Sequence, residues 1–146
     1  MKVIFIRHGK AEEYSFSKPD SDRELTKEGR KDLEKNMPYL VDKLDFSSTK
    51  VFSSPLIRAY QTTDYVTQDY ELVDFLATGD LDELKDCVKA HAHYETMVFV
   101  GHEPIRSEWI FSLTGEMMTV KKGMAVFLNW PDKVLTSARL KDYQSL

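Results

Sequence analysis

Cysteine occurs once in this 146-residue chain, at Cys87. A lone thiol excludes an internal disulfide framework and a cysteine-built zinc cluster, and it reads as a helix core residue. Long apolar runs are missing too. Nothing in the sequence approaches the roughly 18 apolar residues of a membrane-spanning helix, so no membrane partner is expected. Met1-Lys2 leads straight into a strand pattern, without the apolar stretch and small-residue cleavage site of a secretory leader. A cytoplasmic location is the default expectation. Basic excess is also absent, with 20 Lys and Arg against 24 Asp and Glu, a net charge of −4. General nucleic-acid binding needs a basic face, so no nucleic-acid partner is expected. An anionic substrate would have to be held by a few local arginines. Repeats, low-complexity tracts and linkers are missing as well. The balance of 42% hydrophobic and 30% charged residues suits one globular domain over residues 1–146.

What is present is an alternation of strand and helix signals. Strand patterns span Lys2 to Ile6, Lys50 to Ser53, Glu71 to Asp74, Thr96 to Val100, Met124 to Trp130 and Val134 to Leu140. The last two flank Pro131-Asp132-Lys133, which predicts an antiparallel hairpin. Between them, Leu33, Met37, Leu40, Val41 and Leu44 form a helical stripe that Pro38 should kink or divide. Ser54-Pro55 opens a second helix with Leu56, Ala59, Thr63 and Val66 facing inward. Asp80 with Glu83 resembles a capping box ahead of Leu81, Leu84, Val88 and Ala92. Pro104 opens a last helix carrying Ile105, Trp109 and Leu113 and ending at Gly115. The predicted fold class is α/β, a three-layer α/β/α sandwich with a mostly parallel sheet and an antiparallel C-terminal hairpin.

In such sheets ligands sit beyond the carboxyl ends of the strands. Three predicted strand ends carry reactive groups. Arg7-His8-Gly9 follows the first, Ser53 through Arg58 the second, and Gly101-His102 the fourth. Arginine binds phosphate bidentately, and histidine can act as a nucleophile.

These segments together resemble the histidine phosphatase superfamily. Arg7-His8-Gly9 matches its signature, and Ser53 through Thr62 matches its second motif, ending in Arg58-Ala59-Tyr60-Gln61-Thr62. Val98-Phe99-Val100-Gly101-His102 matches the third. Asp22-Arg23-Glu24-Leu25-Thr26 with Gly29 resembles the Arg-Pro-Leu-Thr-x-x-Gly segment of the small members, with Glu24 in place of proline. The resemblance runs from residue 1 to about 130. The chain's short length is similar to the small phosphohistidine phosphatases of the SixA type, and unlike the longer phosphoglycerate mutases.

The resemblance implies that His8 is the nucleophile and becomes phosphorylated, and that water then hydrolyses the intermediate. Arg7, Arg58 and His102 would bind the phosphoryl oxygens, which requires no metal and no cofactor. One nitrogen of His8 must be unprotonated, with the other pinned by a hydrogen bond to a backbone carbonyl. Arg23 would either touch the phosphate or pin its own loop through a carboxylate. The resemblance points to Asp74, near the end of the third strand, as the general acid, with Glu103, next to His102, as the alternative.

The other singled-out residues have plainer readings. Gly9 and Gly101 serve backbone geometry, and Gln61 and Thr62 serve helix packing and hydrogen bonding. Lys18, Lys121 and Lys122 read as solvated. His91 and His93 read as surface residues, since an His-x-His pair lacks the further ligands of a metal site. Trp109, Phe111, Phe127 and Trp130 read as core.

The resulting expectation is a phosphatase for phosphohistidine in a protein, in a domain compatible with a monomer. The partner is thus a phosphorylated protein or a small phosphorylated substrate. A small-molecule phosphomonoesterase or mutase, and a non-catalytic phosphate-binding regulatory module, are the alternatives.

Overall fold

The computed structural model describes residues 1–103, 105–117, 119–130 and 134–139. The first strand, β1 (Lys2–Arg7), holds Val3 through Ile6, all fully buried. Successive side chains of a strand point to opposite faces, and burial on both faces marks β1 as a central strand. It pairs in parallel with β4 (Thr96–Gly101) and antiparallel with β5 (Met124–Asn129). β4 pairs in parallel with β2 (Thr49–Ser53), and β2 with the two-residue β3 (Glu71–Leu72). β6 (Val134–Arg139) completes the antiparallel hairpin with β5. The six-stranded order is β3-β2-β4-β1-β5-β6.

Helices cover both faces, as predicted. α1 (Lys27–Val41) places Leu33, Met37 and Leu40 with Ile4, Ile6, Val51, Val98 and Val100, and Val66, just past α2 (Ile57–Thr63), joins the same cluster. On the other face α3 (Phe75–Thr78), α4 (Leu81–Ala90) and α5 (Ile105–Thr114) pack on Val3, Phe5, Phe52, Met97 and Phe99. Burying each such side chain contributes about 1.5–3 kcal/mol. Among the described residues no helix is long and apolar enough to cross a membrane.

Several local expectations need correction. Pro38 does not divide α1, which runs through it to Val41. Pro38 is exposed, so the carbonyl deprived of its partner faces water, and the buried side chains either side of it hold the helix together. α2 starts at Ile57 rather than Pro55, because Leu56 stays extended with its N–H 3.3 Å from Ser54 Oγ. The third strand stops at Leu72, and the unpredicted α3 follows, capped by Gly79 at φ +86°. A four-residue helix is too short to show a periodic stripe.

Asp80 does cap α4, accepting from the N–H groups of Asp82 and Glu83. Gly115 follows α5 with φ +76°. Phe111 is 52% exposed rather than core, whereas Trp109 is 3% exposed. Cys87 is half-buried in α4, and burial pushes its thiol up to about 11. His91 is half-buried rather than superficial: its Nδ1 lies 2.8 Å from the Cys87 carbonyl, and its ring packs edge-on against Phe52. The Pro131–Lys133 turn, Pro104 and Leu140 lie outside the described residues.

Registry levels the strand ends. Arg7 stands opposite Gly101, and Ser53 opposite Val100. The chain continues that pairing past the strands, since the His8 N–H donates to the Gly101 carbonyl (3.0 Å) and the Ser54 N–H to Val100 (2.9 Å). The three predicted motifs therefore emerge together at the carboxyl ends of three adjacent parallel strands.

Candidate active site

His8 and His102 are each only 6% exposed, and their ring centroids lie 5.3 Å apart. His8 Nδ1 is 2.7 Å from the Gly9 carbonyl oxygen. A carbonyl can only accept, so Nδ1 carries the proton and Nε2 of the neutral ring keeps its lone pair. Burial, above all, pushes His8 down to about 4, and the positive charges of Arg58, Arg7 and Arg23 add to the shift. Three guanidiniums thus act on one imidazole, which stays neutral at pH 7.

The loop under His8 is tied down at several points. The Gly9 N–H donates to Thr62 Oγ1 (3.1 Å), whose hydroxyl donates to the Arg58 carbonyl (2.8 Å). A Cβ on Gly9 would come within 2.9 Å of Leu33 Cδ1. At Gly29 a Cβ would sit 2.2 Å from the Lys10 carbonyl oxygen, so only glycine lets α1 press against this loop. That carbonyl also accepts from the Thr26 N–H (2.9 Å). Gln61 accepts from the Leu25 N–H (2.8 Å) and donates to Glu24 (3.0 Å). The readings of Gln61 and Thr62 as hydrogen-bonding residues agree with these contacts.

Each arginine is anchored by part of its donor set. Arg7 Nη1 donates to the Val120 carbonyl (2.9 Å). Arg58, 6% exposed, donates from Nη1 to the Asp20 carbonyl (2.8 Å) and from Nη2 to Asp20 Oδ2 (3.2 Å). Arg23 donates from Nη1 to Asp20 Oδ1 (2.8 Å) and from Nε to the Glu12 carbonyl (2.7 Å). Hydrogen bonding from Arg23, followed by the charge of Arg58, holds the Asp20 carboxyl below its ordinary range. Among the described residues, the buried Nε of Arg7 and of Arg58 has no hydrogen-bond partner.

His102 Nε2 lies 2.7 Å from Ser54 Oγ. The adjacent Glu103 is held at the start of α5: Ser107 donates to it from its backbone N–H (3.1 Å) and from its hydroxyl. Glu103 also acts on Arg7, partly offsetting the lowering that burial causes there. These contacts bring together Arg7, His8, Arg23, Arg58, His102 and Glu103. Asp74 is exposed at the head of α3, and no described hydrogen bond or ion pair links its carboxylate to them. Asp20 and Ser54 were not singled out in the sequence. Asp20 could have been found from its spacing of three before Arg23, and Ser54 from its place in the Ser-Ser-Pro stretch. Among the described residues no group of three His, Cys, Asp or Glu is placed to hold a metal ion.

Residues 3–102 match the sequence profile of the histidine phosphatase superfamily (branch 1). The chain belongs to that superfamily. Its members are phosphatases or mutases that use a histidine. Among solved structures, the protein histidine phosphatase SixA complexed with tungstate is similar, with a TM-score of 0.77, 22% identity and 94% of each chain covered. The alpha-ribazole phosphatase from Shigella flexneri gives a TM-score of 0.76 at 18% identity, over 98% of this chain and 97% of that one. A phosphoserine phosphatase from Entamoeba histolytica, in complex with 3-phosphoglyceric acid, gives 0.69 at 16% identity, with 94% of each chain covered. At these identities the likeness establishes the histidine phosphatase fold over most of the chain. No curated protein sequence gives a significant match.

Proposed function

We propose that this histidine phosphatase hydrolyses phosphohistidine in a protein, through a phosphoenzyme intermediate on His8. The observation that carries the reading is the Nδ1 contact of His8 with the Gly9 carbonyl, which leaves Nε2 as the nucleophilic nitrogen. Nε2 forms a bond to phosphorus as the bond from phosphorus to the substrate nitrogen breaks. The leaving imidazole keeps the electron pair and takes up a proton. Water then attacks the phosphorus on His8 and releases inorganic phosphate. Arg7, Arg58 and His102, with Arg23 beside them, offset the charge on the equatorial oxygens. These side chains supply the positive charge themselves, so turnover needs no metal and survives a chelator.

The two candidate acids favour this substrate class. Glu103 has both carboxylate oxygens engaged by Ser107, and Asp74 is exposed and unconnected to the cluster. An alkoxide leaving group requires a positioned acid. The imidazole of a phosphoramidate departs more readily and tolerates weaker proton delivery.

Turnover of a phosphohistidine peptide, compared with that of a sugar phosphate, tests the assignment. The peptide should be the faster substrate, with radiolabelled phosphate trapped on His8 in a quenched reaction. Markedly faster sugar-phosphate turnover would overturn the assignment.

A further inference from the structure

Phe111 breaks the pattern of α5. Trp109, Ile110 and Leu113 are buried beneath the helix, whereas Phe111 stands 52% exposed on its outer side. Beside it Met117 is 87% exposed. With Glu103, Ser107, Glu108 and Thr119 these two line a cavity of about 560 Å³. The cavity adjoins the catalytic cluster at two points. Glu103 directly follows His102, and Thr119 directly precedes Val120, whose carbonyl accepts from Arg7. The lining thus includes the residue that follows His102 and the residue that precedes the carbonyl holding Arg7.

The lining sets the chemistry of the occupant. Its surface is chiefly apolar and carries two carboxylates, and neither Lys nor Arg occurs among the described lining residues. An apolar side chain and a cationic one would both be satisfied there. A small ligand would not be enclosed, since Phe111 and Met117 lie open to solvent, and binding pockets normally bury most of a small molecule. A polypeptide surface would cover them. A second apolar patch lies in the segment between β1 and α1. Tyr14 and Phe16, 65% and 99% exposed, pack edge to face at 5.7 Å in the same segment as Asp20, which holds Arg58. Exposed contiguous apolar groups on a soluble domain mark interaction sites.

We propose that the cavity between Glu103 and Met117 is the specificity site for polypeptide flanking the phosphorylated residue, selecting an apolar neighbour together with a basic one. This rests on the phosphohistidine reading above. The occupant is the substrate protein itself, held by burial of Phe111 and Met117 and by pairing of its cation with Glu108.

Three substrates and two variants test it: free phosphohistidine, a phosphohistidine peptide with Leu and Arg neighbours, and the same peptide with Gly and Asp neighbours. The Leu/Arg peptide should exceed the other two in kcat/KM by at least tenfold. Phe111→Ser and Glu108→Lys should each remove most of that excess, chiefly through KM, while turnover of free phosphohistidine stays unchanged and certifies folding. Equal kcat/KM for all three substrates, or variants that keep the full preference, would overturn the specificity site alone. Turnover of p-nitrophenyl phosphate with none of any phosphohistidine substrate would overturn both this site and the phosphohistidine reading.

Discussion

Asp20 clamps two guanidiniums at once, with Oδ2 3.2 Å from Arg58 Nη2 and Oδ1 2.8 Å from Arg23 Nη1. Its own backbone carbonyl takes a further bond from Arg58. The carboxylate therefore fixes the arginines that face the imidazole of His8 and neutralises part of their charge. Asp20→Asn keeps the shape and removes the charge. Hydrogen bonds to charged groups contribute about 1.5–3 kcal/mol, so kcat/KM should fall by about ten- to a hundredfold. Inorganic phosphate should inhibit more strongly, because less of the guanidinium charge is neutralised. Steady-state kinetics with phosphate inhibition measures both, and an unchanged kcat/KM would remove Asp20 from the positioning machinery.

Replacement of His8 by alanine should abolish turnover. On the proposed mechanism His8 is the nucleophile, and loss of a nucleophile costs on the order of 10⁴-fold or more. The ring is buried but makes no core packing of large apolar area, so circular dichroism and Tm should stay close to those of the parent. A well-folded His8→Ala protein with residual activity above one per cent contradicts the mechanism.

The depressed pKa of His8 has a defined pH signature. In the folded protein the ring titrates near 4, against an ordinary value of 6.5, chiefly through burial. The ring is therefore neutral in both folded and unfolded states above about pH 6.5. Between 6.5 and 4 the unfolded chain takes up a proton that the folded one refuses. His8 thus makes stability decline as pH falls through that window. An NMR titration of the His8 ring should give a midpoint far below 6.5, and Arg23→Gln should raise it by removing one of the lowering charges. A midpoint at or above 6.5 in the free protein would refute this electrostatic picture.

Thr62 links α2 to the His8 loop through the Gly9 N–H. Thr62→Val preserves shape but leaves that buried N–H without its acceptor, at a cost of about 1–3 kcal/mol. A Tm drop of several degrees should accompany a loss of kcat, because the Gly9 carbonyl that orients His8 is no longer held in place. Thr62→Ser should restore both. A Val variant with parental Tm and kcat would show that the contact is dispensable.

The layering of the fold was legible in the sequence because it rests on periodicity. Buried runs such as Val3–Ile6 and Met97–Val100 admit one reading, a strand covered on both faces. The helical stripes of Leu33-Met37-Leu40 and Leu84-Val88 then supply the covering layers. Arg7, His8 and His102 were recognisable because each stands where a strand ends, Arg58 because it opens the helix after β2, and residues 3–102 bear the family pattern. Short-range conflict was less legible. Pro38 argues for a break, and only the packing of Met37 and Leu40 overrides it.

The amino-acid order alone determined an α/β sandwich with a cationic, histidine-bearing cluster at the carboxyl ends of its parallel strands, since local pattern and strand polarity suffice for both. The tertiary structure decided which atoms meet. It assigned Nδ1 of His8 to the Gly9 carbonyl, Asp20 to two arginines from different segments, Ser54 to His102, and Phe111 to the surface rather than the core. Those outcomes depend on side-chain directions and on contacts between segments far apart in the chain, and burial and hydrogen bonding settle them only after the layers have packed.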